Sequence, residues 1–207
     1  MIGLGKENSN EEYKIWADSD TKGLIDYITN RECHTRYYNL TDEERQQFYR
    51  LVRYIKRWRD VTYTNKDTRK HVYSIGLTIM FKQSFLPEIN YYGIEDDLTA
   101  LYNTISYILD SQSYFSGYDG DKYNIIVELP VEPYQDVFRK HGKNVGTELR
   151  NKLIYLRRKL KEAIDEESLV KQCTILNRLF GDDFEVPSVA TESRSSDEFY
   201  SQLFKNW

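Results

Sequence analysis

The residues best placed to do chemistry in this sequence are the cations of one basic stretch. Residues 45–59 contain six Lys and Arg residues and no acidic residue, although the whole chain has a net charge of −4. A helix turns by about 100° per residue, so Arg50, Arg53 and Arg57 are predicted to share a solvent face. Lys56 falls at the edge of the apolar face, where its stem can pack while its ammonium reaches an anion. The stretch is therefore either a solvated basic face or a wall that contacts phosphates.

Histidines and cysteines form no recognisable catalytic or metal-binding pattern. His34, His71 and His141 are far apart in the sequence and lack ligand spacing, so each is interpreted as an ordinary surface or core residue. Cys33 and Cys173 each stand alone, which favours a reducing compartment and a cytoplasmic location. Neither a Ser-His-Asp or Cys-His pairing nor a glycine-rich phosphate loop is indicated.

Acidic residues in the Asp-x-Asp spacing are the remaining candidates for metal chemistry. The spacing occurs at Asp18-Ser19-Asp20, where a helix is predicted to start, and at Asp119-Gly120-Asp121, in a predicted turn. Glu95-Asp96-Asp97 also indicates a helix start, since acidic residues favour the positive end of the helix dipole. The sequence therefore predicts no metal site in this chain.

Helices are predicted to position these residues, because apolar residues recur at helical spacing through most of the chain. The basic stretch belongs to a helix that starts at the capping box in residues 41–44 and runs to about Asp60. Ser74 is predicted to cap the next helix, whose apolar run ends before Pro87.

The other elements complete a mostly α fold, a helical bundle of about seven helices with one short extended segment. Helices are predicted from Asp18, from Glu95, over about 144–165 and over about 168–180. The first of them is predicted to bury Leu24, Ile25 and Ile28. The extended segment is 125–127, and residues 61–70 and 111–123 are predicted loops. Residues 18–187 are thus one helical domain, and the Ser/Glu-rich residues 188–207 are predicted to form a flexible tail.

Composition argues against two classes of partner. The N-terminus turns polar at once, and the apolar stretch 74–81 is far shorter than the ~18 residues of a membrane span, so no signal peptide or membrane partner is expected. The acidic net charge does not predict a nucleic-acid partner. Basic residues on the last long helix alternate with acidic ones, which is typical of a solvated surface.

Six segments carry a resemblance to a known family. They are Trp16–Ile25, Leu51–Asp60, Ser74–Ile79, Asp97–Leu101, Ile125–Pro133 and Leu179–Pro187. In this order and spacing they resemble the C-terminal helical domain of the CD-NTases, the bacterial relatives of cyclic GMP-AMP synthase and oligoadenylate synthase. The resemblance covers roughly residues 12–187.

The resemblance implies one half of a two-lobed nucleotidyltransferase. Such enzymes join nucleoside triphosphates into cyclic di- or trinucleotide second messengers in anti-phage defence. Their core domain carries a Gly-Ser turn and an Asp-x-Asp strand that hold two Mg²⁺ ions. This sequence has no such arrangement, so residues 1–17 are interpreted as a junction to a separate core domain or chain. The isolated chain is predicted to form no cyclic nucleotide from nucleoside triphosphates.

The resemblance also implies site residues. The family holds the donor's phosphates with a lysine on the basic helix and a serine that opens the next helix, and these positions match Lys56 and Ser74. Relatives often place a base-stacking tyrosine after that serine, where this chain has Ile75, with Tyr73 on the other side. Tyr73 is therefore the candidate for a contact with the base.

A second interpretation remains open, namely a stand-alone, non-catalytic helical module that binds a nucleotide or a protein. A core with Gly-Ser and Asp-x-Asp encoded upstream of Met1 would favour the enzyme over this module. Half of an enzyme should also present apolar surface where its other half belongs. Trp16, Tyr37 and Tyr38, near the junction, are the residues predicted to form that surface.

Overall fold

The computed structural model describes residues 2–4, 15–17, 20–182, 184 and 186–187. Within these residues it has seven α-helices and three two-stranded antiparallel sheets, which confirms the mostly α prediction. The helices are α1 (Thr21–Thr29), α2 (Asp42–Thr62), α3 (Lys66–Arg69), α4 (Ser74–Ser84), α5 (Asp97–Asp110), α6 (Gly142–Ile164) and α7 (Leu169–Phe180). The sheets pair β1 (Ile2–Leu4) with β2 (Ile15–Ala17), β3 (Glu32–Cys33) with β4 (Tyr38–Asn39), and β5 (Phe115–Asp119) with β6 (Lys122–Ile125).

Helix α2 is the central element of the fold. The predicted capping box is present at its start: the Glu44 amide donates to Thr41 Oγ1 at 3.2 Å, and the Thr41 amide donates to Glu44 Oε2 at 2.8 Å. This reciprocal pair satisfies two amides that the helix itself leaves open. The apolar face of α2, with Leu51 and Ile55 fully buried, packs against α4, α5 and α7.

Helix α4 is buried on almost every side, because its sequence is apolar around the whole turn. Ile79, Met80 and Phe81 are all at most 1% exposed. Even Lys82 is buried, and its ammonium donates to the Asn30 carbonyl at 2.8 Å. Burial lowers the pKa of Lys82. Helix α4 therefore has a fixed position, and its first turn is placed by the core behind it.

Helix α6 closes the other side of the core. Leu149, Leu153, Leu156 and Leu160 are buried as predicted, against α5 and α7. Its first turns lie directly on the β5–β6 hairpin. No helix in the described part of the chain is both long and apolar enough to cross a membrane.

Two predicted loops contain regular structure. Residues 61–70 include the last turn of α2 and the whole of α3, and residues 111–123 include β5 and the start of β6. Of the extended segment predicted at 125–127, only Ile125 belongs to a strand, where it ends β6 and pairs with Phe115 of β5. Gly120 and Asp121 form the turn between the two strands, and polar strand residues hid the alternation from the sequence pattern.

Helix α1 is less buried than its sequence predicted. Ile25 is 56% exposed, Leu24 and Ile28 are half-buried, and no residue of α1 is fully buried. The predicted flexible tail, 188–207, lies outside the described residues. The same holds for Asp18 and for the side chain of Trp16.

Candidate functional site

Lys56, Tyr73 and Ser74 belong to two helices that pack against each other. Lys56 lies in the C-terminal half of α2, Ser74 is the first residue of α4, and Tyr73 is its N-cap residue. Arg59, one turn after Lys56, joins the two helices. Its guanidinium donates to the Val72 carbonyl at 3.4 Å and to Ser74 Oγ. The structure thus brings Ser74 to the basic helix through an arginine that the sequence reasoning did not single out.

Arg59 is held in place by its neighbour in the sequence as well. Its Nε and Nη2 donate to Asp60 Oδ1 at 3.0 and 2.7 Å. The spacing of three residues between Lys56 and Arg59 places both on one side of α2. That spacing is the sequence signal that would have identified Arg59 as part of the site.

Ser74 does not cap α4, contrary to the prediction. Tyr73 occupies the N-cap position in an extended conformation, and no side chain accepts a hydrogen bond from the first turn. The Ser74 hydroxyl instead accepts from Arg59. A hydroxyl has one hydrogen to donate besides its acceptor sites, so the Ser74 O–H remains available to a further acceptor.

The first turn of α4 presents backbone donors beside that hydroxyl. The first bond within the helix runs from the Leu77 amide to the Tyr73 carbonyl at 3.2 Å, so the amides of Ser74, Ile75 and Gly76 precede it. A helix start with open amides carries a partial positive charge and favours anions. On the adjacent helix, Lys56 adds a positive charge, and Arg59 adds one that Asp60 partly offsets.

Lys56 is a half-buried cation without a counter-ion. Among the described residues, no carboxylate or carbonyl forms a hydrogen bond or ion pair with its ammonium. Burial lowers the pKa of Lys56, and the nearby Arg59 guanidinium lowers it further. A bound anion would relieve both effects, which makes this position suited to a phosphate.

Tyr73 forms a wall of the same region. Its ring centroid lies 5.4 Å from that of Phe138 and 6.5 Å from that of His141, and the residue is half-buried. Gly76, one turn into α4, allows this close packing, because a Cβ there would lie 2.4 Å from the Phe138 ring. Tyr73 therefore fixes the segment before α6 against the start of α4.

His71 and His141, which are far apart in the sequence, lie together in the structure. Their rings stack with centroids 3.9 Å apart and an interplanar angle of 22°. His71 precedes α4, and His141 is the N-cap residue of α6. No local pattern could have revealed this pair, because the two residues meet only when α6 packs beside α4.

The helical projection predicted that Arg50, Arg53 and Arg57 share one solvent face, and this prediction is wrong. Arg53 is exposed, but Arg50 is only 8% exposed and binds Asp97. Arg57 is half-buried, and its Nε donates to the Phe180 carbonyl at 2.8 Å. Partners on α5 and α7 therefore divide a basic face that looked uniform in the sequence.

The described carboxylates do not fit a magnesium site. Asp20 caps α1, and Asp119 forms an ion pair with Lys122 at 2.9 Å. Asp97 forms a buried ion pair with Arg50. No group of three or more His, Cys, Asp or Glu side chains within the described ranges is arranged to hold a metal ion. Asp18 lies outside those ranges.

Comparison of the chain with models of protein families gave no match, and comparison with curated protein sequences gave none either.

Proposed function

We propose that this chain is the helical lobe of a nucleotidyltransferase that joins nucleoside triphosphates into cyclic di- or trinucleotides for anti-phage signalling in the cytoplasm. Its own part is one wall of the nucleotide cleft. The observation that carries the proposal is the half-buried Lys56, which has no ion-pair partner among the described residues and lies beside the Arg59–Ser74 pair at the start of α4. The family resemblance over residues 12–187 supplies the reaction, and the local chemistry supports the binding of phosphate.

Each residue of this wall has a definable action on a triphosphate. The Lys56 ammonium pairs with a phosphate oxygen as a point charge. The Ser74 hydroxyl, oriented by Arg59, donates its hydrogen to a second oxygen. The first amides of α4 and the positive end of its dipole complete an anion site. Tyr73, next to the serine, is the candidate for a contact with the base.

Metal ions enter this proposal only through a partner. The carboxylates that would hold two Mg²⁺ ions would belong to a core domain or chain with Gly-Ser and Asp-x-Asp, and the ions would supply charge stabilisation for the attacking hydroxyl and the leaving pyrophosphate. The helical lobe contributes binding and orientation, which by themselves lower the barrier to reaction.

A non-catalytic helical module is the second candidate. The commitment of Asp20, Asp97 and Asp119 to caps and ion pairs favours it, because these carboxylates are unavailable to a metal. Such a module would use the same phosphate wall to bind a nucleotide without converting it. Product formation after addition of a cognate core separates the two candidates.

The test compares Lys56→Ala with Arg53→Ala, since each variant removes one positive charge from the same helix. Loss of a charge-assisted contact costs about 1.5–3 kcal/mol, so Lys56→Ala should weaken ATP binding by roughly ten- to a hundredfold. Calorimetric titration of the isolated chain with ATP measures this effect. The same drop is expected in the catalytic efficiency of the chain joined to a core.

Arg53→Ala is the control, because its guanidinium is exposed. This substitution should weaken the binding of ATP by at most about two- to threefold, as expected for a screened surface charge. Equal losses in the two variants would mean that only the general basic charge of α2 attracts ATP. If Lys56→Ala binds ATP as tightly as the unaltered chain, both the phosphate wall and the proposed function are contradicted.

A further inference from the structure

The stacked histidines lie next to the phosphate wall, which consists of Lys56, Arg59, Ser74 and the first turn of α4. His71 directly precedes Val72, whose carbonyl accepts from Arg59, and Arg59 in turn donates to Ser74. His141 packs over His71 at 3.9 Å, with Tyr73 beside it. The two imidazoles therefore continue the surface formed by Arg59 and Ser74 toward the N-terminus of α6.

One nitrogen of this pair lacks a partner. His141 Nδ1 is buried and has no hydrogen bond to any described residue. A buried polar atom in a folded protein is almost always paired, and an unpaired one points to an absent water, ion or ligand. His141 is also the N-cap residue of α6 but forms no side-chain cap. The position thus has an unused polar atom at a helix start, which favours an anion.

The surroundings of His71 lower its pKa in the free protein. Burial lowers the pKa of His71, the His141 ring and Lys70 lower it further, and Asp67 partly opposes them. Lys70 and Asp67 themselves form an ion pair at 2.7 Å, so little net negative charge from α3 reaches the imidazoles. Arg59, from α2, also lies beside Val72, and its charge is paired with Asp60 at 2.7 Å. The lowered pKa of His71 favours the neutral form of this imidazole in the free protein.

We propose that the His71–His141 pair is a proton-linked phosphate site, which binds the end of the phosphate chain held by Lys56 and Ser74. Binding of the anion is accompanied by uptake of one proton from solvent onto an imidazole, whose N–H then donates to a phosphate oxygen. Release of the anion returns the proton to solvent. This inference rests on the proposed function, since it assigns the pair to the same phosphate chain.

The linkage fixes the direction of the pH dependence. An anion that raises the pKa of one imidazole must bind more tightly as the pH falls through the window between the free and bound midpoints. A rise of about one unit in the pKa of the imidazole on binding corresponds to a limiting tenfold change in affinity for the anion. We therefore expect the affinity for tripolyphosphate to rise roughly three- to sixfold from pH 8 to pH 6, beyond the effect of the anion's own titration, because the full tenfold gain is reached only below the free midpoint. Sulfate, which does not titrate in this range, is the reference anion.

Proton NMR of the imidazole C–H signals tests the proposal on the intact chain. The chain has three histidines, so the signals are assigned with His34→Asn, His71→Asn and His141→Asn. Titrations are recorded without anion, with tripolyphosphate and with sulfate. The midpoint of His71 or His141 should rise by about one unit with saturating anion. His34, in the β3–β4 hairpin beside Glu32, is the internal control and should not move.

The outcomes separate this inference from the proposed function. Tripolyphosphate binding that depends on Lys56 but leaves both midpoints unchanged overturns the histidine site alone. Equal shifts of all three histidines overturn it too, because they indicate general screening. Failure of tripolyphosphate to bind between pH 6 and pH 8 overturns both proposals. If a histidine variant does not fold, the titration of the unaltered chain still decides, with assignment from the remaining variants.

Discussion

Arg50 and Arg53 lie less than one helical turn apart on α2, in opposite environments. Arg50 donates to Asp97 from Nε at 2.6 Å and from Nη2 at 2.9 Å, and to Glu95 at 2.7 Å. Burial lowers the pKa of Arg50, but the hydrogen bonds and charges of Asp97 and Glu95 outweigh burial and raise it. Tyr54 also donates to Asp97, at 3.2 Å. The pair is therefore a buried, fully hydrogen-bonded link between α2 and α5.

Arg50→Ala should destabilise the chain strongly. The substitution would leave the Asp97 carboxylate, which is 4% exposed, buried without its counter-ion. Breaking a buried ion pair in this way costs about 3–5 kcal/mol. Urea unfolding followed by circular dichroism measures the change in the free energy of unfolding. Arg53→Ala, the exposed control, should stay within about 0.5 kcal/mol of the unaltered chain.

An Arg50→Ala variant as stable as Arg53→Ala would contradict this interpretation of the pair. It would mean that water reaches Asp97 and replaces the guanidinium. Neither residue belongs to the proposed phosphate wall, so neither variant removes a contact with the phosphates.

At the scale of elements, α6 approaches the backbone of β6 closely at Gly146. A Cβ on Gly146 would lie 2.3 Å from the Tyr123 carbonyl oxygen and 2.7 Å from the Ile125 amide nitrogen. Both neighbours are backbone atoms of a hydrogen-bonded hairpin, so they cannot move aside as a side chain would. A glycine at position 146 therefore sets the distance between helix and hairpin.

Gly146→Ala should separate α6 from the hairpin. Forced overpacking of this kind costs about 1–3 kcal/mol and sometimes more, although alanine favours a helix by itself. Thermal unfolding and hydrogen exchange of the Tyr123 and Ile125 amides measure the effect. Gly117→Ala is the matched control, because the nearest atom to its Cβ would be 3.9 Å away. A fully stable Gly146→Ala variant with protected hairpin amides would show that the two elements do not touch here.

At the scale of the whole molecule, the surface carries large exposed apolar side chains on two loops. Tyr91 is 97% exposed, Tyr92 84% and Ile94 55%. The Asn90 side chain accepts from the amides of Tyr92 and Ile94, both at 2.9 Å, so their loop is held open by hydrogen bonds. Tyr37, named from the sequence as part of an apolar surface, is 94% exposed. Exposed apolar surface of this kind favours association.

The chain is therefore expected to self-associate at high concentration through these aromatics. Replacing Tyr91 and Tyr92 together by serine should lower the association constant at least tenfold, because tyrosines are frequent anchors of protein interfaces. Sedimentation velocity over a range of concentrations measures this. Tyr155→Ser, on α6 and 49% exposed, is the control and should have little effect. A monomer at every concentration would contradict the expectation and argue for an independent domain.

Local rules in the sequence were enough for the class of fold and for several elements. The capping box at Thr41 and Glu44 satisfies amides within one helical turn, so four adjacent residues determine the start of α2. The apolar stripe of α6 is likewise local, since 3.6-residue spacing alone puts Leu149, Leu153 and Leu156 on one side. Such features depend on neighbours within a turn or two, and the sequence displays those directly.

The tertiary structure alone decided which polar groups meet. Arg50 is an exposed cation by helical projection, and only the packing of α5 gives it Asp97, 47 residues away. Serine is a common helix cap, but the Ser74 hydroxyl accepts a hydrogen bond from Arg59 of α2 instead. His71 and His141 form a pair only because α6 begins beside the start of α4. Hydrogen bonds and charges act over a few ångströms in space, so the partners of these side chains depend on how the helices pack, which no local pattern contains.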